Sequence, residues 1–351
     1  MSTTALRCLA VSALTLAGLT LPGPAVADDT CQGRTASVVG TPGEPLAGTT
    51  GNDVIVSNGA TTVSALEGND TICVTGPTTG VTVDAGPGND LLVPGSLGST
   101  GPVNARGGDG TDTVVISLPG GTARAWALDA KGTLKTGSST YLLLGGLETY
   151  DVLPDGAAKN TLTFTGSARA ETLIAEDYLK SASMGGGNDA LRITPAQGND
   201  RIKVDGGGGQ DLLAVLNLGA YVELDFNGGV FRGGDGGGTH RGFEDGEAQA
   251  EVVQITGNAG GNRLTAKNCE RASIYANEGN DTILVGKPVG GVSCDTVAFG
   301  EEGNDVIKTS NADDVINGGD GRDKANAKGG RDVCRDVESA HHCEQRSRVA
   351  G

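Results

Sequence analysis

Eleven times along this chain a glycine-rich turn ends in an aspartate that is followed, two residues later, by an aliphatic side chain. The cleanest run is Asp305, Asp314, Asp323 and Asp332, nine residues apart at each step. A carboxylate gains nothing from burial unless it is paired, so regular carboxylates call for a chemical reason rather than a packing one. Stacked turns of this kind gather carboxylate and main-chain carbonyl oxygens, a donor set suited to a hard divalent cation such as calcium. Asn-Asp and Gly-Asp also make turns unaided. The nine-residue phase is what that simpler reading leaves unexplained.

Three stretches carry the full hexapeptide G-G-x-G-x-D: 107–112 (GGDGTD), 206–211 (GGGGQD) and 318–323 (GGDGRD), ending at Asp112, Asp211 and Asp323. Seven more turns keep Gly-Asn-Asp and end at Asp53, Asp70, Asp90, Asp189, Asp200, Asp281 and Asp305, and Ala312-Asp313-Asp314 is a variant. The glycines let the backbone enter positive φ and aim carbonyls inward. The aliphatic after each aspartate, such as Ile55, Ile72 or Ile307, starts a short strand with its side chain toward a core. Two nonapeptides make one coil, so equivalent loops superpose every 18 residues, Asp305 over Asp323 on one edge and Asp314 against Asp332 on the other. Coils lie about 4.8 Å apart. Bare carboxylates at that spacing repel by about 1 kcal/mol in water and by more where water is displaced. A coordinated divalent cation reverses the sign.

The elements that position these turns must be thin and repetitive. Glycine makes up 60 of 351 residues and aromatics 3%, in a sequence rich in Val, Leu, Ile and Thr. The spacing loosens upstream, with steps of 17 and 20 residues from Asp53 to Asp70 to Asp90 and of 11 from Asp189 to Asp200 to Asp211. Coils of variable length point to an all-β fold, a right-handed parallel β-helix or β-roll solenoid of a dozen or more coils with disulfide-closed ends. A longer repeat underlies it. Gly146-Leu147-Glu148, Thr163-Phe164-Thr165-Gly166, Glu171-Thr172-Leu173 and Gly187-Asn188-Asp189 are echoed by Gly242-Phe243-Glu244, Gln254-Ile255-Thr256-Gly257, Asn262-Arg263-Leu264 and Gly279-Asn280-Asp281. Duplication of a multi-coil unit is the simplest account.

The first 27 residues read as a secretory leader, with Arg7, an apolar stretch from Cys8 to Leu21 and the small-residue site Ala25-Val26-Ala27. Six cysteines then remain, an even number for an oxidising compartment. Cys269 precedes Asp281 by 12 residues and Cys294 precedes Asp305 by 11, so the two sit alike on consecutive coils and are expected to pair. Cys334 with Cys343 and Cys31 with Cys73 complete the set. The pattern divides the chain into a leader (1–27), coils with Gly-Asn-Asp turns (28–115), metal-poor coils expected to be ordinary β-helix (116–182), a second Gly-Asn-Asp set (183–299), the regular nonapeptides (300–335), and a cap and tail (336–351).

The net charge is −17, and −18 once Arg7 leaves with the leader. Such a surface repels nucleic acid and anionic membranes. No segment after the leader is apolar enough to span a bilayer. The mature chain, starting at Asp28, is expected to be extracellular and monomeric, with calcium ions as ligands and a cell surface or a polysaccharide as its partner.

The nonapeptide G-G-x-G-x-D-x-U-x is the repeat of calcium-binding β-rolls, and this chain resembles the hemolysin-type calcium-binding repeat (RTX) family, most specifically over 300–335 and at the strict hexapeptides. The resemblance implies that the glycine carbonyls and last aspartate of each turn bind calcium: Gly318, Gly319, Asp320, Gly321 and Asp323 most directly, and Gly303, Asp305, Asp314, Gly330 and Asp332 with them. Two departures stand out. Ala312 replaces a turn glycine, and Ala327-Lys328 replace the opening Gly-Gly before Asp332. An N-terminal leader also differs from the C-terminal export signal of the family's toxins and proteases.

Other chemistry finds little support. The three histidines form no H-E-x-x-H, and no G-x-S-x-G or phosphate-binding loop is present. Cys334, His341, His342 and Cys343 suit a disulfide-closed cap better than zinc. The alternatives are a surface adhesin or a polysaccharide lyase or hydrolase working on a groove at Lys131, Lys135, Asp151, Asp155, Lys159, Asp177 and Lys180. A solvated face is the simpler reading of those charges.

Overall fold

The computed structural model describes residues 30–347, except 77–79, 96, 98–100, 155–159, 177, 196–200, 218, 235 and 287–292. The expected leader, with the start at Asp28, lies outside the described residues. Every regular element among those residues is a β-strand, and none is a helix long and apolar enough to cross a membrane.

Strands form where β-branched and aliphatic residues alternate. In Thr161–Thr165 the side chains of Leu162 and Phe164 are buried while the threonines face outward, and Leu173 and Ala175 do the same in Thr172–Glu176. One sheet has fifteen strands, all parallel, from Val38–Val39 to Ser339–His341. A second sheet of nineteen strands runs from Pro45–Ala47 to Gln345–Ser347. The chain alternates between the sheets. Inward side chains from both therefore merge into a single core along the stack, in which Trp126, Tyr150, Phe164 and Phe231 are the bulkiest. Turns at the two edges join sheet to sheet, and the repeating aspartates lie in those turns. This is the β-helix-like architecture expected.

The expectation of ordinary coils over 116–182 needs one correction. Between Thr113–Leu118 and Thr149–Pro154 of the first sheet, the chain makes three consecutive strands in the second: Ala125–Asp129, Thr133–Thr136 and Ser139–Gly145. The last pairs parallel with Val103–Asp109 of the coil before, and the first with Thr161–Thr165 of the coil after. The middle strand is antiparallel to both. An inward–outward alternation reads alike for parallel and antiparallel strands, so only the short turns betray the reversal. At one of them Asp129 Oδ1 accepts the Lys131 N–H at 2.8 Å.

The same S-shaped excursion recurs at Tyr221–Asp225, Val230–Gly233 and Gly236–Arg241, in step with the internal sequence duplication. The copies differ in packing. Where the first carries the buried Tyr150, the second has Gly246, and a β-carbon there would stand 2.6 Å from the Phe226 ring. Phe226 supplies the volume that Tyr150 supplies in its own copy.

All three expected disulfides form, with Cα–Cα distances of 5.6 Å for Cys31–Cys73, 5.2 Å for Cys269–Cys294 and 5.9 Å for Cys334–Cys343. The Thr30–Thr35 hairpin brings Cys31 onto the far face of the first sheet, where it covers Val54, Val56 and Cys73.

Candidate metal centre

The turns leading from the second sheet into the first stack into one edge. Along it, each acidic residue uses its main-chain N–H to bind the carboxylate of the next coil. Asp53 N–H donates to Asp70 Oδ1 at 2.8 Å, Asp70 to Asp90 at 2.8 Å and Asp90 to Asp112 at 2.9 Å. The same link joins Asp189 to Asp211, Asp281 to Asp305 and Asp305 to Asp323, each at 2.8 Å. On the opposite edge Asp314 donates to Asp332 at 2.9 Å. Outside this ladder runs a second one, made by the Asn that precedes Asp. Asn69 N–H donates to Asn52 Oδ1 at 2.7 Å, Asn89 to Asn69 at 2.8 Å and Asn304 to Asn280 at 2.8 Å.

Each ladder aspartate thus spends Oδ1 on a neighbouring amide. The other oxygen has no partner. Oδ2 of Asp70, Asp90, Asp112, Asp189 and Asp211, and of Asp281, Asp305, Asp314, Asp323 and Asp332, is buried without a hydrogen bond, and none of these residues is more than 2% exposed. Leaving a buried carboxylate oxygen unmet costs on the order of 1–3 kcal/mol or more. Burial accordingly raises these acids, and a neighbouring carboxylate adds to the effect. Asp281 rises to about 7, and Asp90, Asp189, Asp305 and Asp314 to about 6, Asp314 despite the Thr309 hydroxyl beside its carboxylate.

Asp53 is the exception. Burial pushes it up too, but hydrogen bonds outweigh that and hold it below the usual value. Ser37 Oγ donates to its Oδ1 at 2.8 Å, and the Thr49 N–H and Oγ1 donate to its Oδ2 at 2.7 and 2.9 Å.

The loop backbone explains the glycines. At the turn position four residues before Asp, φ is positive with or without glycine, except at Thr49 before Asp53 and Ser310 before Asp314: Gly319 has φ 99°, and Leu66, Asn277, Glu301 and Lys328 have φ of 76°, 70°, 75° and 63°. A left-handed conformation costs a non-glycine residue roughly 1–2 kcal/mol, so the stack imposes it. Two residues before Asp the glycine is needed for space as well. A β-carbon on Gly303 or Gly321 would collide with the carbonyl oxygen of Gly279 or Gly303 in the coil before. At the start of the loop, a β-carbon on Gly107, Gly206, Gly300 or Gly318 would fall between the orphan Oδ2 of its own loop and a carbonyl oxygen of the next coil. A small cradle of oxygens therefore lies between coils.

Among the described residues, no three His, Cys, Asp or Glu side chains converge on one point. An ion here would draw one carboxylate oxygen per coil and complete its shell from main-chain carbonyls. An all-oxygen, anionic donor set without nitrogen or sulfur fits calcium and not zinc or copper.

The RTX calcium-binding nonapeptide repeat family matches in four copies, over residues 273–287 and 299–334. The chain carries RTX calcium-binding repeats. A comparison with curated proteins found no match.

The RTX turns hold the residues expected of them. Asp305 lies over Asp323, Gly303 pairs in register with Gly321, and Gly319 pairs with Glu301. Ala327-Lys328-Gly329-Gly330 keeps the loop conformation despite its departures, with φ of 63° at Lys328 and 141° at Gly330. Asp320 stands apart from the orphan oxygens, exposed and in register with Glu302. Asp200 lies outside the described residues, and Asp189 passes directly to Asp211. The groove of the alternative reading can be followed at four of its seven charged residues. Lys131, Lys135 and Lys180 belong to the second sheet and its turns, Asp151 belongs to the first, and Asp155, Lys159 and Asp177 lie outside the described residues.

Sequence reasoning missed six rungs. Asp112 N–H donates to Glu148 Oε2 at 2.9 Å, Asp211 to Glu244 at 2.9 Å, Asp323 to Glu338 at 2.7 Å and Asp332 to Glu344 at 2.5 Å. Glu171 and Asn262 occupy the same edge, donating their N–H groups to Asp189 Oδ1 at 2.7 Å and Asp281 Oδ1 at 2.6 Å. The signal was available. Glu171 and Asn262 each stand two residues before a buried leucine, in the phase of the aspartates.

Proposed function

We propose that this chain is a secreted calcium-binding repeat protein with a structural or interaction role, whose coils fold on calcium after export. The orphan oxygens carry this reading. Ten buried carboxylate oxygens without a partner, stacked along edges built from main-chain carbonyls, suit a divalent cation and little else. Five of the ten aspartates, Asp70, Asp90, Asp112, Asp189 and Asp211, lie upstream of the family match yet have the same ladder geometry. The ligands would be the Oδ2 atoms together with loop carbonyls such as those of Gly303, Gly318, Gly319, Gly321 and Gly330. Calcium would supply the positive charge that turns repulsion between coils into attraction.

In a low-calcium cytoplasm the ladder would oppose its own stacking and keep the chain expanded. Outside the cell, at calcium about ten times the dissociation constant, each site contributes roughly 1.4 kcal/mol to the folded state. Three disulfides fit the same oxidising destination. Calorimetry and circular dichroism during a calcium titration of chelated mature protein test the proposal. Saturable binding with a gain of β-structure is expected. Full β-structure in chelator with no heat of binding would overturn it.

A further inference from the structure

The acidic edge is punctuated. A run proceeds only while each rung offers an N–H to the next carboxylate and its own Oδ2 stays open. Both conditions fail at particular places.

On the opposite edge the run starts from Thr296, whose N–H donates to Asp314 Oδ1 at 2.8 Å and whose hydroxyl donates to the Cys294 carbonyl at 3.0 Å. The other three runs begin at residues whose side chains are already satisfied. The Asp53 carboxylate is held by Ser37 and Thr49. Glu171 accepts the Ser167 N–H at 3.1 Å on Oε2 and the Ser167 hydroxyl on Oε1. Asn262 Oδ1 accepts the Asn258 N–H at 2.8 Å. In all three, the donor lies four residues upstream, where Thr49, Ser167 and Asn258 lack the positive φ found at the open turns Leu66, Asn277 and Glu301. The relaxed backbone aims that N–H at the side chain and puts a proton donor where a cation would sit. Ser310, four residues before Asp314 on the opposite edge, also lacks a positive φ but leaves Asp314 Oδ2 unbonded.

Runs end at glutamates. Glu148 and Glu244 accept the last aspartate's N–H, but their own N–H groups turn back to the carbonyls of Asp112 and Asp211, each at 3.1 Å. Glu344 turns back to Asp332 in the same way, also at 3.1 Å. At these three no donor is left for a following carboxylate, and Glu338 stands before the last strand of the first sheet, Ser339–His341, with no further coil to meet among the described residues. Between Glu148 and Glu171 the link is main chain only, from Thr172 N–H to Glu148 O at 2.7 Å.

We propose that the solenoid binds calcium in four separately bounded runs, closed at Glu148, Glu244, Glu338 and Glu344, with one ion for each of the ten orphan oxygens and none at Asp53, Glu171 or Asn262. This rests on the calcium reading above and goes beyond it by separating metal-bearing rungs from look-alikes. Asp53 ends a Gly-Asn-Asp turn that the sequence pattern alone would count as a site.

Native mass spectrometry of the full mature chain, refolded in calcium, counts the bound ions. Wild type and Asp53→Asn should both retain ten, and Asp90→Asn should lose at least one. Asn262→Asp, which restores the repeat's aspartate without freeing it from Asn258, should still hold ten. The pair Ser37→Ala with Thr49→Gly should gain one by opening the Asp53 rung. Loss of an ion on Asp53→Asn, or a gain on Asn262→Asp, would overturn the punctuation while leaving calcium binding intact. No calcium on wild type would overturn both.

Discussion

The coils from Asp295 onward and those of the middle of the chain are built from the same turn but held by different forces. In the middle, strands such as Thr161–Thr165 and Val252–Thr256 have five residues and bury Leu162, Phe164, Val253 and Ile255. Toward the C-terminus, Val306–Lys308, Lys324–Asn326 and Val333–Arg335 have three residues each, and the inward positions shrink to Ile307, Ala325 and Cys334. Less apolar area leaves water there, at about 25 cal/mol per Å². These thin coils also carry aspartates on both edges, Asp305 and Asp323 on one and Asp314 and Asp332 on the other. The first-sheet side of the core is thus thin where both edges carry the carboxylate ladder, and on the proposed calcium reading cohesion passes there from hydrophobic burial toward ion binding.

Chelation is the strongest way to break this comparison. Four sites at ten times their dissociation constants amount to about 5–6 kcal/mol, comparable with the stability of a whole small domain. Hydrogen exchange on chelated protein should show residues 299–343 losing protection by orders of magnitude, with 161–195 affected far less. Equal loss in both segments would mean that the core difference does not matter.

Substitution sharpens it with a change of sign. Asp323→Asn should weaken calcium binding, yet stabilise the chelated protein by about 1 kcal/mol, because it removes one charge from a repelling pair. Denaturant melts with and without calcium check both halves. An equal destabilisation in both conditions would make Asp323 a plain structural residue.

Acidity gives a third handle. In the metal-free fold burial holds Asp281 at about 7 and Asp305 and Asp314 at about 6, all above the 3.8 of an exposed carboxylate. The unfolded chain therefore releases its protons first as pH rises. Stability of the chelated protein should fall from about pH 4 to about pH 7 and level off above that. With calcium present the trend should invert, since the ion competes with protons. A melting temperature in chelator that rises over this range would contradict the orphan carboxylates.

The smallest effect concerns backbone strain. Leu66 has φ 76° and is 41% exposed, so Leu66→Gly should stabilise the fold by about 1 kcal/mol in thermal melts. A loss of stability would show that the Leu66 side chain contributes more than its strain removes.

Much of this is legible in the sequence. The 18-residue superposition of Asp305 on Asp323 followed from the nonapeptide period, and the Cys269–Cys294 pair followed from matching offsets on consecutive coils. What escaped reading had physical causes. Glu148 and Glu244 reach the ladder from coils lengthened by the S-shaped excursions, so no spacing rule finds them. The excursions themselves keep the alternation of plain coils. Asp53 has the right turn sequence, and only the Ser37 and Thr49 contacts mark it as closed.

The central claim is that the orphan oxygens hold calcium. Long-wavelength anomalous diffraction from crystals of the mature protein grown in calcium tests it most directly. The account predicts anomalous peaks beside Oδ2 of Asp305, Asp323, Asp314 and Asp332, repeated at the upstream open rungs and missing beside Asp53. Water or a protein donor at those oxygens, with no anomalous signal, would contradict it.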